Sequence, residues 1–164
     1  MLKSSVIAYF RTFVFGVEDS LVSTVGLLSG IAIAGMGAKQ IFVTGIVLIF
    51  VEAISMAAGS FLSESSAEEY ATRSERISER TYVSALIMFA SYVISGFVPL
   101  LPYLFLPPSG AFAVSIILSF LFLGILGVLS ARLSKTHVAT SVFRMVLIGG
   151  VAIAVGVGVG KMLG

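Results

Sequence analysis

Residues 110–133 read GAFAVSIILSFLFLGILGVLSARL, and the first 22 of them carry no charge. A helix needs about 20 apolar residues to cross a ~30 Å hydrocarbon core, so this stretch can span a bilayer. Barrel strands would alternate apolar and polar residues, and this stretch does not. Four further stretches of the same kind lie at roughly 13–36, 40–62, 82–106 and 141–163. The composition agrees. The 164 residues are 58% hydrophobic and 11% charged, with a mean hydropathy of +1.12. A soluble domain is ~25% charged. A soluble chain of this size cannot bury so much apolar surface, and a disordered chain would not carry it. What remains is an all-α integral membrane five-helix bundle forming one domain over residues 1–164, since lipid admits only helices and closed barrels.

The breaks between spans are readable. Gly35-Met36-Gly37 with Lys39-Gln40 makes the first turn. Leu106-Pro107-Pro108-Ser109-Gly110 makes another, and Ser134-Lys135-Thr136-His137 joins the last two spans. Pro99 and Pro102 are expected to kink the end of span 3. The long connection, 63–81, reads SESSAEEYATRSERISERT. It has no Gly or Pro, so it is expected to continue span 2 as a helix into the cytoplasm, toward residue 80. On that helix Glu64, Glu68, Glu75 and Glu79 fall within about 60° of one another. They would form an acidic stripe able to gather cations at the mouth of the protein. The competing reading is an ordinary solvated helix.

Lysine and arginine set the orientation. With the N-terminus inside, Lys3, Arg11, Arg73, Arg76, Arg80, Arg132, Lys135 and Arg144 all fall on the cytoplasmic side; Lys39 and Lys161 fall opposite. The positive-inside rule therefore predicts a cytoplasmic N-terminus and a C-terminus on the other side. This also accounts for the net charge of +2 without a nucleic-acid partner. Residues 1–15 show no signal-peptide cleavage pattern. There is no cysteine, hence no disulfide or thiolate site. The lone His137 sits in a short turn and is expected to be merely solvated.

Three acids stand in or near apolar spans: Glu18, Asp19 and Glu52. A charge at mid-membrane costs ~2.5–3.5 kcal/mol on the mildest scale, so such acids are functional by default. At about 100° per residue, Ser23, Gly26 and Gly30 lie within 40° of Asp19 on span 1. Met56 and Gly59 lie as close to Glu52 on span 2. Asp19 is roughly 9 Å from the cytoplasmic end of its span, Met56 about 9 Å and Glu52 about 15 Å. Two carboxylates and a thioether can thus share one membrane layer. Oxygen with sulfur favours a first-row transition ion over Ca²⁺ or Mg²⁺. Carboxylates also take protons, so the same groups can couple proton and metal movement. Met56 alone would more often be a packing residue. Glu18 lies 100° off the stripe and is expected to pair with Arg11 or Lys3, or to snorkel to the cytoplasmic surface. Gly26 and Gly30, with Gly156 and Gly160 on span 5, are GxxxG pairs for close helix approach. They fit either packing within the bundle or, with Ser23, contact between two copies. Ser84, Ser91 and Ser95 are expected to make interhelical hydrogen bonds. No phosphate loop, HExxH or Ser-His-Asp spacing is present, so no enzyme is indicated.

The run Phe15-Gly16-Val17-Glu18-Asp19-Ser20-Leu21-Val22-Ser23-Thr24 resembles the first helix of the vacuolar iron transporter family. The run from Glu52 through Ser55-Met56-Ala57-Ala58-Gly59-Ser60 to Ser63 resembles its second-helix motif. Residues 97–103 and 144–150 resemble its third and fifth helices. The resemblance implies a homodimer moving Fe²⁺, and often Mn²⁺, from the cytosol in exchange for protons. It implies that Asp19 and Met56 hold the ion, with no permanently bound cofactor. Three departures are visible. Ser20 replaces the Gly after the Asp, Ser60 replaces a Glu, and only 63–81 stands where many members carry a cytoplasmic metal-binding domain. Glu52, four residues before Met56, can compensate for the acid missing at Ser60. The membrane implied is the plasma membrane of a prokaryote or a vacuolar-type membrane of a eukaryote. The competing function is a non-transporting dimeric scaffold or partner subunit that retains the fold.

Overall fold

The computed structural model describes residues 2–74 and 76–164. Its helices are α1 (Leu2–Ile33), α2 (Ala38–Thr72), α3 (Glu79–Leu100), the single turn α4 (Pro102–Phe105), α5 (Pro108–Ser134) and α6 (Val138–Leu163). Five of them, all but α4, are long and apolar enough to cross a membrane. The chain is an all-α bundle whose antiparallel neighbours are joined by short turns. Helix α1 begins well before the apolar stretch at residue 13. Lys3 and Arg11 interrupt the hydropathy, but both residue types are good helix formers.

The connection between α2 and α3 departs from expectation. Helix α2 does continue past residue 62, but it stops at Thr72 rather than near residue 80. Arg73 adopts the left-handed conformation (φ 54°, ψ 32°) and donates its N–H to the Glu69 carbonyl, closing the helix. Its guanidinium stacks over the Tyr70 ring. Serine side chains then compete for the backbone, as short hydroxyls do. The Ser74 hydroxyl accepts from the Arg76 N–H, and the Glu68 carboxylate accepts from both the N–H and the hydroxyl of Ser78. These local bonds replace the helical ladder. Glu64 and Glu68 therefore lie on α2 and Glu79 on α3, so these three do not share the single unbroken helix that the expected acidic stripe required.

Span 3 is interrupted where a kink is expected, between Leu100 and Pro102. Pro102 has no N–H and its ring clashes with a helical carbonyl, so α3 ends at Leu100 and the chain restarts as α4. The Ser115 hydroxyl on α5 donates to the Pro99 carbonyl at 2.7 Å, tying α5 to the end of α3. Beside it Leu28, Ile41, Ile49, Leu100, Tyr103 and Ala111 form one buried apolar cluster. Leu21, Leu123, Leu126 and Met145 form a second, nearer the other end.

Helix α1 is the hub, packed against α3 on one side and α6 on the other. The α1–α6 contact is backbone against backbone. A Cβ added at Gly30 would lie 2.7 Å from the Gly156 carbonyl oxygen, and one at Gly26 would lie 3.2 Å from that of Ala152. Reciprocally, a Cβ at Gly156 or Gly160 would overlap the carbonyl of Gly26 or Gly30. The two GxxxG pairs thus meet within one chain. Gly26 and Gly30 face α6 of the same chain.

Between α1 and α3 the seam is polar. Ser20 donates its hydroxyl to the Tyr92 carbonyl at 2.6 Å, and the hydroxyls of Ser23 and Tyr92 are 2.7 Å apart. The serines expected to bridge helices do otherwise. Ser91 bonds back to the Met88 carbonyl, and Ser95 to the Ser91 carbonyl, both on α3 itself. The Ser84 hydroxyl is buried without a partner. A serine inside a helix always has a carbonyl of its own previous turn within reach, and here that local bond wins.

Candidate metal site

Asp19 projects from the middle of α1 and is partly buried. It borders a cavity of about 180 Å³ with Phe15, Glu18, Val22 and Ile148 of α6. Met56, on α2, lies in a separate cavity of about 640 Å³ whose wall includes Arg11, Thr12, Gly59, Glu64 and Met88. Phe15 borders both cavities. Glu52 borders neither, but Asp19 feels its charge across the α1–α2 gap. Asp19, Glu52 and Met56 are thus brought to one region without being brought into one pocket. Among the described residues no group of three or more His, Cys, Asp or Glu side chains is placed to hold a metal ion.

The remaining expected site residues are dispersed. Glu64 faces the Met56 cavity together with Arg11. Glu68 is engaged by Ser78, Glu79 opens α3, and Glu75 lies outside the described residues. Glu18 and Arg11 border a common cavity of about 410 Å³ against Ser130 and Ser134 of α5. Ser23 lines an open groove between α1 and α6.

One residue escaped the sequence reading. Tyr92 is fully buried at the α1–α3 seam. Its hydroxyl meets Ser23, one turn beyond Asp19, and lies within electrostatic reach of both Asp19 and Glu52. Its hydroxyl is held at the seam by Ser23. The signal in the sequence was faint: a tyrosine inside an apolar helix, beside Ser91 and Ser95. A tyrosine buried in a membrane bundle needs a partner for its O–H.

The profile of the VIT family matches residues 10–82 and 71–161. The chain belongs to the VIT family. The two matched stretches overlap at 71–82, the connection where α2 stops and α3 begins. No large insertion separates them, which fits the lack of an additional cytoplasmic domain. The chain is similar to vacuolar iron transporter homolog 4 of Arabidopsis thaliana, at 28% identity over 174 residues, covering 95% of this chain and 84% of the relative. Vacuolar iron transporter homolog 3 of the same plant is 28% identical over 171 residues with the same coverages. Vacuolar iron transporter 2 of Oryza sativa subsp. japonica is 34% identical over 83 residues, 50% of this chain and 34% of the relative. Membership makes the chain an integral membrane protein of a transporter family, not an enzyme.

Proposed function

We propose that this chain moves divalent transition-metal ions, Fe²⁺ or Mn²⁺, out of the cytosol in exchange for protons, acting as a two-fold dimer. The observation that carries the reading is the Asp19 carboxylate at membrane depth, within electrostatic reach of Glu52, in a cavity that shares Phe15 with the cavity of Met56. Carboxylates in a dry site are stabilised either by a proton or by a cation. A divalent ion and protons therefore compete for the same oxygens, which is the minimum required for exchange. Met56 adds sulfur, which suits Fe²⁺ better than an oxygen-only site does. Arg11 and Glu64 mark the cytoplasmic end of the Met56 cavity by the positive-inside rule. Movement of Phe15, which borders both cavities, would join the Met56 cavity to Asp19.

One chain supplies too few ligands for an ion, and a second copy would double them. The outer side of α1 at Phe15 is 49% exposed, and Ile148 beside it is 48% exposed. This leaves the Asp19 cavity open on that flank. In this Cys-free chain, Phe15→Cys and Ser23→Cys should cross-link between subunits, whereas Ile117→Cys on the far side of α5 should not. Absence of a cross-linked dimer at both 15 and 23 would remove the second copy from the site.

The test of transport is uptake of Fe²⁺ and Mn²⁺ by liposomes containing the purified protein, with and without an imposed pH gradient. Uptake that rises with a proton gradient supports exchange; no uptake of either metal would leave the scaffold reading. Met56→Leu keeps volume and removes the sulfur. It should slow Fe²⁺ by about tenfold and Mn²⁺ by much less, as expected for loss of the softer ligand. An equal change for both metals would return Met56 to packing.

A further inference from the structure

Helices α5 and α6 touch at Gly127, where an added Cβ would lie 2.7 Å from the Val142 Cα. Alongside that contact runs a groove of about 610 Å³. One wall is the row Phe120, Gly124, Val128 and Arg132, four residues apart on α5; the other includes Val142 and Val146 of α6. Gly124 leaves the groove open, since a Cβ there would meet nothing within 4 Å. The twelve steps from Phe120 to Arg132 measure roughly 18 Å at 1.5 Å per residue. Half of a ~30 Å hydrocarbon core is about 15 Å. The groove therefore has the length of one leaflet: it starts near mid-membrane and ends, at the surface, on a guanidinium.

That guanidinium is exposed. Glu79 is the last acid in the sequence, whereas residues 80–164 hold Arg80, Arg132, Lys135, Arg144 and Lys161. Arginine pairs with phosphate through two parallel hydrogen bonds. Lys135, three residues further on, would repel the ammonium of a zwitterionic headgroup. We propose that the α5–α6 groove is a lipid site, holding one acyl chain of an anionic phospholipid with its phosphate on Arg132.

The test uses the full chain in nanodiscs of mixed phosphatidylglycerol and phosphatidylcholine, released into mild detergent and examined by native mass spectrometry. The wild type should retain one phosphatidylglycerol per chain. Arg132→Gln should lower the preference for phosphatidylglycerol over phosphatidylcholine about fivefold, the worth of one basic residue at an anionic surface. Lys161→Gln makes the same charge change at the opposite end of α6 and should alter nothing. Gly124→Phe should fill the groove and remove the retained lipid with helix content unchanged. Equal retention of the two lipids by the wild type would overturn the proposal, as would an unaltered preference in Arg132→Gln. So would Gly124→Phe that keeps its lipid, or that changes only the oligomeric state, which would make the groove a protein interface. If Gly124→Phe loses its helix content, Arg132→Gln decides alone.

Discussion

Asp19→Asn is expected to reduce Fe²⁺ and Mn²⁺ uptake to the level of empty liposomes while the protein remains folded. Asparagine keeps the size of the side chain and one acceptor oxygen, so the cavity bordered by Phe15, Val22 and Ile148 keeps its shape. What disappears is the charge. Holding a carboxylate at this depth costs ~2.5–3.5 kcal/mol or more, and nothing in helix packing repays it. The like charge of Glu52 nearby adds to that cost. The mutant should therefore be as stable as the wild type or slightly more so, measured as thermal unfolding in the same detergent. Loss of uptake together with undiminished stability separates a ligand from a structural residue. Undiminished uptake in Asp19→Asn would overturn the assigned site. Glu52→Gln should retain part of the uptake, because Glu52 borders neither cavity and acts on the ion through space.

The spans were legible because each is a long apolar stretch, and hydropathy needs no tertiary information. The end of α2 was not. The 63–81 connection has no Gly or Pro, and its break rests on a left-handed arginine and on Glu68 reaching forward ten residues to Ser78. Propensity is blind to a bond of that kind. The candidate acids were legible from cost alone, since a carboxylate at membrane depth is expensive and packing gives no reason for it. Their partition was not, because which cavity each side chain borders depends on how α1, α2 and α6 pack, and helical angles on one helix carry no such information. Helical angles placed Gly26 and Gly30 on the Asp19 stripe correctly but could not choose their partner. A GxxxG pair announces close approach, and the sequence holds two such pairs, each able to meet the other or a copy of itself.

That choice can be tested with two glycines on one helix. Gly156 and Gly158 both lie in α6, two residues apart and on opposite faces. A Cβ at Gly156 overlaps the Gly26 carbonyl, whereas one at Gly158 meets nothing within 4 Å. Gly156→Ala must therefore push α6 away from α1, because a backbone carbonyl cannot rotate aside as a side chain can. Overpacking of this kind costs about 1–3 kcal/mol. Gly158→Ala should be neutral or stabilise by up to about 1 kcal/mol, since alanine is the better helix former and the added methyl is unopposed. The two variants have the same composition, so any general effect of glycine on a membrane helix cancels in their difference. The measurement is thermal unfolding of each in detergent, read by circular dichroism. A lower midpoint for Gly156→Ala alone would fix the α1–α6 seam inside one chain; equal midpoints would mean that the two helices do not meet there. The same comparison bears on transport. Asp19 rides on α1 seven residues before Gly26, and its cavity is closed on one side by Ile148 of α6. Widening the seam moves that wall, so Gly156→Ala should also slow uptake, while Gly158→Ala should leave it unchanged.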